Sequence, residues 1–269
     1  MKAPWIGTSW KMNKTRAEAR AFAEALKASP CAANGKARLF VVPPFPAIAE
    51  VAAILAGTKV ITGAQNMHWA DHGAWTGEVS PPMVKDCGAT LVELGHSERR
   101  THFGETDETV ARKVAAAVKH GLLALVCIGD TRGEYEAGAT ADVLARQTRY
   151  ALRDAGKQAP GHVMIAYEPV WSIGEGGIPA DPVFANAQHA RLKALTAEIA
   201  GQPLPILYGG SVNPQNCCAL AAMPDVDGLF IGRAAWNPQG FIGIVEAVTE
   251  SLAGLARPVV SSKPIAGPV

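Results

Sequence analysis

Glu168 stands where an apolar run ends, and Pro169, Trp171 and a stretch with three glycines in four residues, 174–177, follow it. A carboxylate placed so is a candidate general base. The apolar run delivers it on a strand, and the loop behind it can close and exclude water, which raises carboxylate basicity. Pro169 also holds Glu168 in an extended conformation as the chain leaves the strand. A loop glutamate is ordinarily solvated; the tryptophan and glycines argue for chemistry instead. A second candidate is His96, in Leu94-Gly95-His96-Ser97-Glu98-Arg99-Arg100. At the start of a short helix the positive dipole end disfavours the imidazolium, so a neutral ring could donate to a carbonyl oxygen. A lone histidine there is otherwise a cap or a core residue. Lys11, between Trp10 and Met12, offers a fixed cation, where the plainer alternative is a surface lysine lying along apolar neighbours. Gly209-Gly210-Ser211 and Gly232 are weak signals alone, since most such glycines make turns.

Eight apolar segments are predicted to position these residues: 5–9, 38–42, 59–62, 90–94, 122–127, 163–167, 205–208 and 228–231. They lack in–out alternation, as expected of parallel strands buried on both faces. Helical patterns over 15–27, 105–120, 139–155, 185–200 and 241–252 fall between them. Strand and helix alternating eight times define an α/β chain of one domain, a closed (β/α)8 barrel over residues 1–253. An open doubly wound sheet also alternates, but with nearer six strands. Residues 254–269, rich in proline and serine, are expected to form a flexible tail. In a barrel the site is built at the C-terminal strand ends. Lys11, His96, Glu168, Ser211 and Gly232 all follow predicted strand ends. The glycines after strands seven and eight then lie where barrels bind phosphate through backbone N–H groups, with Gly174 as a further donor from the lid.

Composition narrows the partners. Among 269 residues, 48% are hydrophobic and 18% charged, with a net charge of +1. That balance gives no case for nucleic acid or a membrane surface, so local groups must meet any substrate charge. Cysteines at 31, 87, 127, 217 and 218 show no paired spacing, and no secretory segment follows Met1, so a reduced cytoplasmic setting is expected. His68 and His72 lie four apart, yet without a third ligand nearby they do not make a metal site, and no metal is expected.

In this order the four motifs around Lys11, His96, Glu168 and Ser211 resemble the triosephosphate isomerase family, over residues 5–253. The resemblance implies a TIM barrel that isomerises a small sugar phosphate through an enediolate without a cofactor. It implies Glu168 as base and His96 as neutral electrophile; a glutamate, a neutral histidine and lid closure in this family are a standard worked example. Lys11 would act electrostatically with Glu98 in support, and Ser9, Lys11, Gly174, Ser211, Gly232 and Arg233 would hold substrate or its phosphate. Residues 65–78 resemble the family's long third loop, with Gln65, Trp75 and Thr76 in contact with a second subunit. A homodimer follows from that likeness.

Several positions depart from the family pattern. Ser9 replaces the asparagine before Trp10-Lys11, Glu175-Gly176-Gly177 replaces the lid's Thr-Gly-Lys, Gly232-Arg233 replaces Gly-Gly, and Asp130 ends Cys127-Ile128-Gly129-Asp130 in place of glutamate. The segments 8–14, 65–71 and 231–237 resemble the erythrulose-phosphate isomerase branch, which serves erythritol catabolism. That likeness implies conversion of L-erythrulose 1-phosphate to D-erythrulose 4-phosphate. Ordinary triosephosphate isomerase is the alternative. A non-catalytic phosphate-metabolite sensor is a third reading, against which the intact Lys11, His96 and Glu168 speak.

Overall fold

The computed structural model describes residues 3–174 and 176–255. Eight parallel strands close into a barrel in sequence order: β1 (Trp5–Ser9), β2 (Arg38–Val42), β3 (Ile61–Ala64), β4 (Leu91–Leu94), β5 (Leu123–Ile128), β6 (Val163–Tyr167), β7 (Ile206–Tyr208) and β8 (Gly228–Ile231). Closure is made by β1 against β8, from Trp5 opposite Gly228 to Thr8 opposite Ile231. A ring of this kind leaves no free sheet edge, and it excludes the open doubly wound alternative.

Both faces of every strand are buried, which is why the sequence shows continuous apolar runs. One set of side chains fills the barrel: Trp5, Phe40, Val42, Leu91, Leu125, Met164, Leu207 and Phe230 among them. Phe40 stacks on Phe230 at 5.7 Å and meets Trp5 edge-on at 6.3 Å. Gly7 is required here, because a Cβ would fall 2.2 Å from the Phe40 ring. The alternate residues, such as Ile6, Leu39, Val41 and Val92, pack outward on the helices. Each such buried side chain contributes roughly 1.5–3 kcal/mol against exposure.

The outer helices follow local signals. Helix Arg16–Ala28 starts at a capping box in which Thr15 accepts from the Glu18 N–H, and it buries Ala19, Phe22, Ala23 and Leu26 at helical spacing. Thr106 caps Asp107–Lys119 in the same manner, and Asp181 caps Pro182–Ala200 by accepting from the Val183 and Phe184 N–H groups. Pro182 occupies the first helical turn, where its missing N–H costs nothing, so that helix begins three residues before the predicted 185. Helix Pro238–Leu255 runs through Gly254, past the expected boundary at 253; the tail from 256 lies outside the described residues. Strand β3 begins two residues later than expected. Residues 58–60 are held in a turn, with the Val60 N–H on Thr58 Oγ1 and the Lys59 N–H on the Ala32 carbonyl. No helix among the described residues is long and apolar enough to cross a membrane.

Candidate active site

Five strand-to-helix connections meet at a cavity of about 320 Å³ at the C-terminal end of the barrel. Ser9 and Lys11 reach it from β1, His96 from β4, Glu168 and Gly174 from β6, Ser211 from β7, and Gly232 and Arg233 from β8. Glu98 stands behind Lys11, whereas Gln65, Trp75 and Thr76 do not line the cavity.

Glu168 leaves β6 with its N–H on the Ile128 carbonyl at 2.7 Å. Its side chain is 3% exposed, and Oε2 has no hydrogen-bond partner among the described residues. A buried carboxylate left so is costly. Burial first, and the neighbouring Glu93 carboxyl second, raise its pKa to about 8. Space for it is reserved by Gly209, where a Cβ would come within 2.7 Å of Glu168 Cγ.

His96 caps helix Ser97–His102, its Nδ1 accepting from the Glu98 N–H at 3.2 Å. A neutral ring that accepts at Nδ1 carries its proton on Nε2. That atom lies 3.7 Å from Glu168 Oε2, so the two groups face one small space without bonding each other. Burial, helped by the Lys11 charge, lowers the His96 pKa to about 4. The imidazole is therefore a neutral donor over the ordinary working range of pH.

Lys11 adopts a left-handed backbone with φ of 52°, unusual outside glycine. Gln65 sustains it by donating to the Lys11 carbonyl at 2.8 Å and the Val42 carbonyl at 3.1 Å. Its amide N–H groups are thus spent within the chain and support the site, a role that its expected place on the subunit-contact loop did not reveal. Lys11 Nζ pairs with Glu98 at 2.7 Å. Partial burial opposes the Glu98 charge, but Lys11 and His96 outweigh it and hold the carboxyl below its usual range.

The loop after β6 is tied down at several points. Asp130 accepts from Thr140 Oγ1 at 2.7 Å, Tyr167 Oη at 3.2 Å and the Trp171 indole at 3.3 Å. Tyr208 Oη accepts from the Ala180 N–H at 3.3 Å, and Ser172 Oγ accepts from the Ser211 N–H at 3.1 Å. That backbone donor of Ser211 is thus engaged by the loop after β6. Arg233 begins the helical turn Arg233–Ala235 beside Gly232, whose carbonyl accepts from the Ala235 N–H at 3.0 Å. Trp236 donates to the Ser9 carbonyl at 3.0 Å and joins this turn to β1.

Glu93 was not singled out from the sequence. It is the one acidic residue on the eight described strands, 2% exposed, and it accepts from Ser9 Oγ at 2.8 Å. A carboxylate two residues after Leu91 in an apolar run was the signal that could have found it. His68, the discounted metal ligand, accepts the Ala70 N–H and stacks on Trp69 at 4.0 Å. Trp75 is 48% exposed and leans on the same ring at 4.4 Å; Thr76 is exposed beside it.

Fold and rim together define the class: a (β/α)8 sugar-phosphate isomerase, with a buried carboxyl group, a neutral imidazole and an ammonium on one cavity. The chain belongs to the triosephosphate isomerase family, whose model matches residues 4–248. It is 54% identical over 251 residues to the L-erythrulose-1-phosphate isomerase of Rhizobium rhizogenes, covering 93% of this chain and 96% of the relative. The proteins of the same name from Brucella abortus, 58% over 244 residues (90% and 94% covered), and Rhizobium meliloti, 53% over 251 residues (92% and 98%), are similarly close.

Proposed function

We propose that this chain isomerises L-erythrulose 1-phosphate to D-erythrulose 4-phosphate. The observation that carries the reading is Ser9 at the cavity wall beside Glu168 and His96. A serine there leaves more room beside the base than a larger amide side chain would, and the substrate carries one hydroxymethyl group more than a triose phosphate. The names of the close relatives support the same choice.

In this mechanism the Glu168 carboxylate removes the proton from C3 of the ketose. His96 Nε2–H donates to the carbonyl oxygen on C2, and Lys11 offsets the negative charge of the enediolate. The proton then returns to C2 while the C3 hydroxyl gives up its proton and becomes the carbonyl, and that proton passes by way of His96 Nε2 to the oxygen on C2, which becomes the hydroxyl. Only protons move, so no cofactor enters. Gly232, Arg233, Ser211 and the lid glycine Gly174 would receive the phosphate, and seating it at the Ser211 backbone requires release of the Ser172 bond. The chain is further proposed to act in the cytoplasm as a homodimer, in erythritol breakdown, with Trp75 and Thr76 against the second subunit.

Purified protein incubated with L-erythrulose 1-phosphate in deuterated water should give D-erythrulose 4-phosphate, followed by NMR. If dihydroxyacetone phosphate turns over near the diffusional ceiling and the tetrulose is ignored, the chain is a triosephosphate isomerase instead.

A further inference from the structure

Glu93 has no part in the proton transfer above, yet it sits inside the barrel. On β4 the parity that turns Leu91 inward turns Glu93 inward as well. On β1 the same parity carries Trp5, Gly7 and Ser9 to the interior, with Ser9 at the cavity wall. The two meet through Ser9 Oγ–H to Glu93 Oε2 at 2.8 Å. An apolar side chain of similar size would be cheaper to bury than a carboxyl.

A serine hydroxyl has a single proton. Once that proton is given to Glu93, the Ser9 oxygen keeps only lone pairs for the cavity. We propose that Glu93 is a positioning residue that fixes Ser9 as a hydrogen-bond acceptor for the hydroxyl on the carbon beyond the reacting pair, so that Glu93 and Ser9 together select a four-carbon over a three-carbon phosphate. This rests on the tetrulose reading for its biological meaning. Its geometry is independent of turnover: beside His96 as donor and Glu168 as base, the cavity gains an acceptor that only a hydroxyl-bearing extension can use. The charged groups around Glu93 are Lys11, Glu98, Glu105 and Glu168. Burial raises Glu93 to about 7, so above that pH the carboxylate can only accept, and below it the carboxyl also carries a proton that can be donated to Ser9.

The test uses two unreactive probes, erythritol 4-phosphate and glycerol 3-phosphate, with dissociation constants measured by titration calorimetry at about pH 8. The wild type is expected to favour the four-carbon probe by about tenfold, the worth of one well-made polar contact. Glu93→Met and Ser9→Ala should each bring the ratio to about one. Glu93→Gln, whose amide oxygen still accepts, should keep it within about threefold of wild type. The wild-type ratio should also shrink as pH falls through about 7, which a purely structural glutamate does not cause. If Glu93→Met weakens both probes by the same factor, or leaves the ratio intact, Glu93 is structural and the proposal is overturned. Should that variant not fold, Glu93→Asp, which withdraws the acceptor by one methylene, must lower the ratio, and a wild-type ratio there overturns it equally. Failure of the wild type to convert L-erythrulose 1-phosphate would remove the tetrulose reading alone, because the probe ratio is read without turnover.

Discussion

The indole of Trp171 donates to Asp130 across 3.3 Å, so the turn that follows Glu168 is fastened to a residue two positions beyond β5. Asp130 is fully buried and accepts from Thr140 and Tyr167 as well. Aspartate is shorter than the glutamate of the family pattern, yet its carboxylate reaches three donors from separate segments. Asp130→Ala leaves those donors without their shared acceptor. The expected loss of stability is about 2–4 kcal/mol, read from denaturant unfolding, because bonds to a buried charge exceed neutral ones. kcat should fall as well, since the lid then closes from a loosened base. A variant with wild-type stability and kcat would show that Trp171 is held by packing on Tyr135 and Phe184 instead.

The folded and unfolded pKa values of Glu168 set a pH dependence whose sign is opposite to that of an ordinary ion-paired carboxylate. Its ordinary value is 4.5 and its buried value about 8. Between those pH values the native state keeps a proton that the unfolded chain has released, so stability falls as pH rises through the window. Glu168→Gln removes the effect. The variant should exceed wild type by on the order of 1–3 kcal/mol at about pH 9 and match it near pH 4. Equal stabilities at both pH values would place Glu168 in a solvated setting. The same value predicts that kcat/KM of the wild type rises with pH toward a limb near 8, since the base acts when ionised.

Shortening the base separates chemistry from binding. Glu168→Asp withdraws the carboxylate by one methylene from the space shared with His96, and proton transfer tolerates little misplacement. kcat is expected to fall by at least about a hundredfold with KM changed only a few-fold. Steady-state rates on L-erythrulose 1-phosphate read both quantities together. An undiminished kcat would take the role of base away from Glu168.

Much of this site was legible because it is local. Lys11, His96 and Glu168 each follow a strand end within two residues, and strands β1, β2, β6 and β8 have the bounds that their apolar runs predict. What was hidden depends on contacts distant in sequence. Glu93 acquires its meaning from Ser9, 84 residues away, and Gln65 from the Lys11 carbonyl, 54 residues away. Helix Ile48–Leu55 went unmarked because its run of Ile, Val, Ala and Leu reads as readily for a strand as for a helix. The late start of β3 has a similar cause: Lys59 and Val60 look strand-like, but their N–H groups go to the Ala32 carbonyl and to Thr58 Oγ1.

Trp75 gives the last test, of assembly. Its ring leans on His68 and Trp69 and is still 48% exposed at the tip of a loop whose neighbours Ala74 and Thr76 are also exposed. An aromatic presented in this way suits a pocket on a second copy of the chain, where tryptophan anchors are often worth 2 kcal/mol or more. Gln65, at the root of the same loop, holds the Lys11 carbonyl, so the loop joins a proposed subunit contact to the cavity lysine. Sedimentation at about micromolar concentration should show a dimer, and Trp75→Ala should raise its dissociation constant by at least about thirtyfold, matching that energy. On dilution below the new constant, kcat should fall with the dimer fraction, because the Lys11 backbone loses a support that the contact steadies. A fully active monomer would separate the loop from both assembly and catalysis.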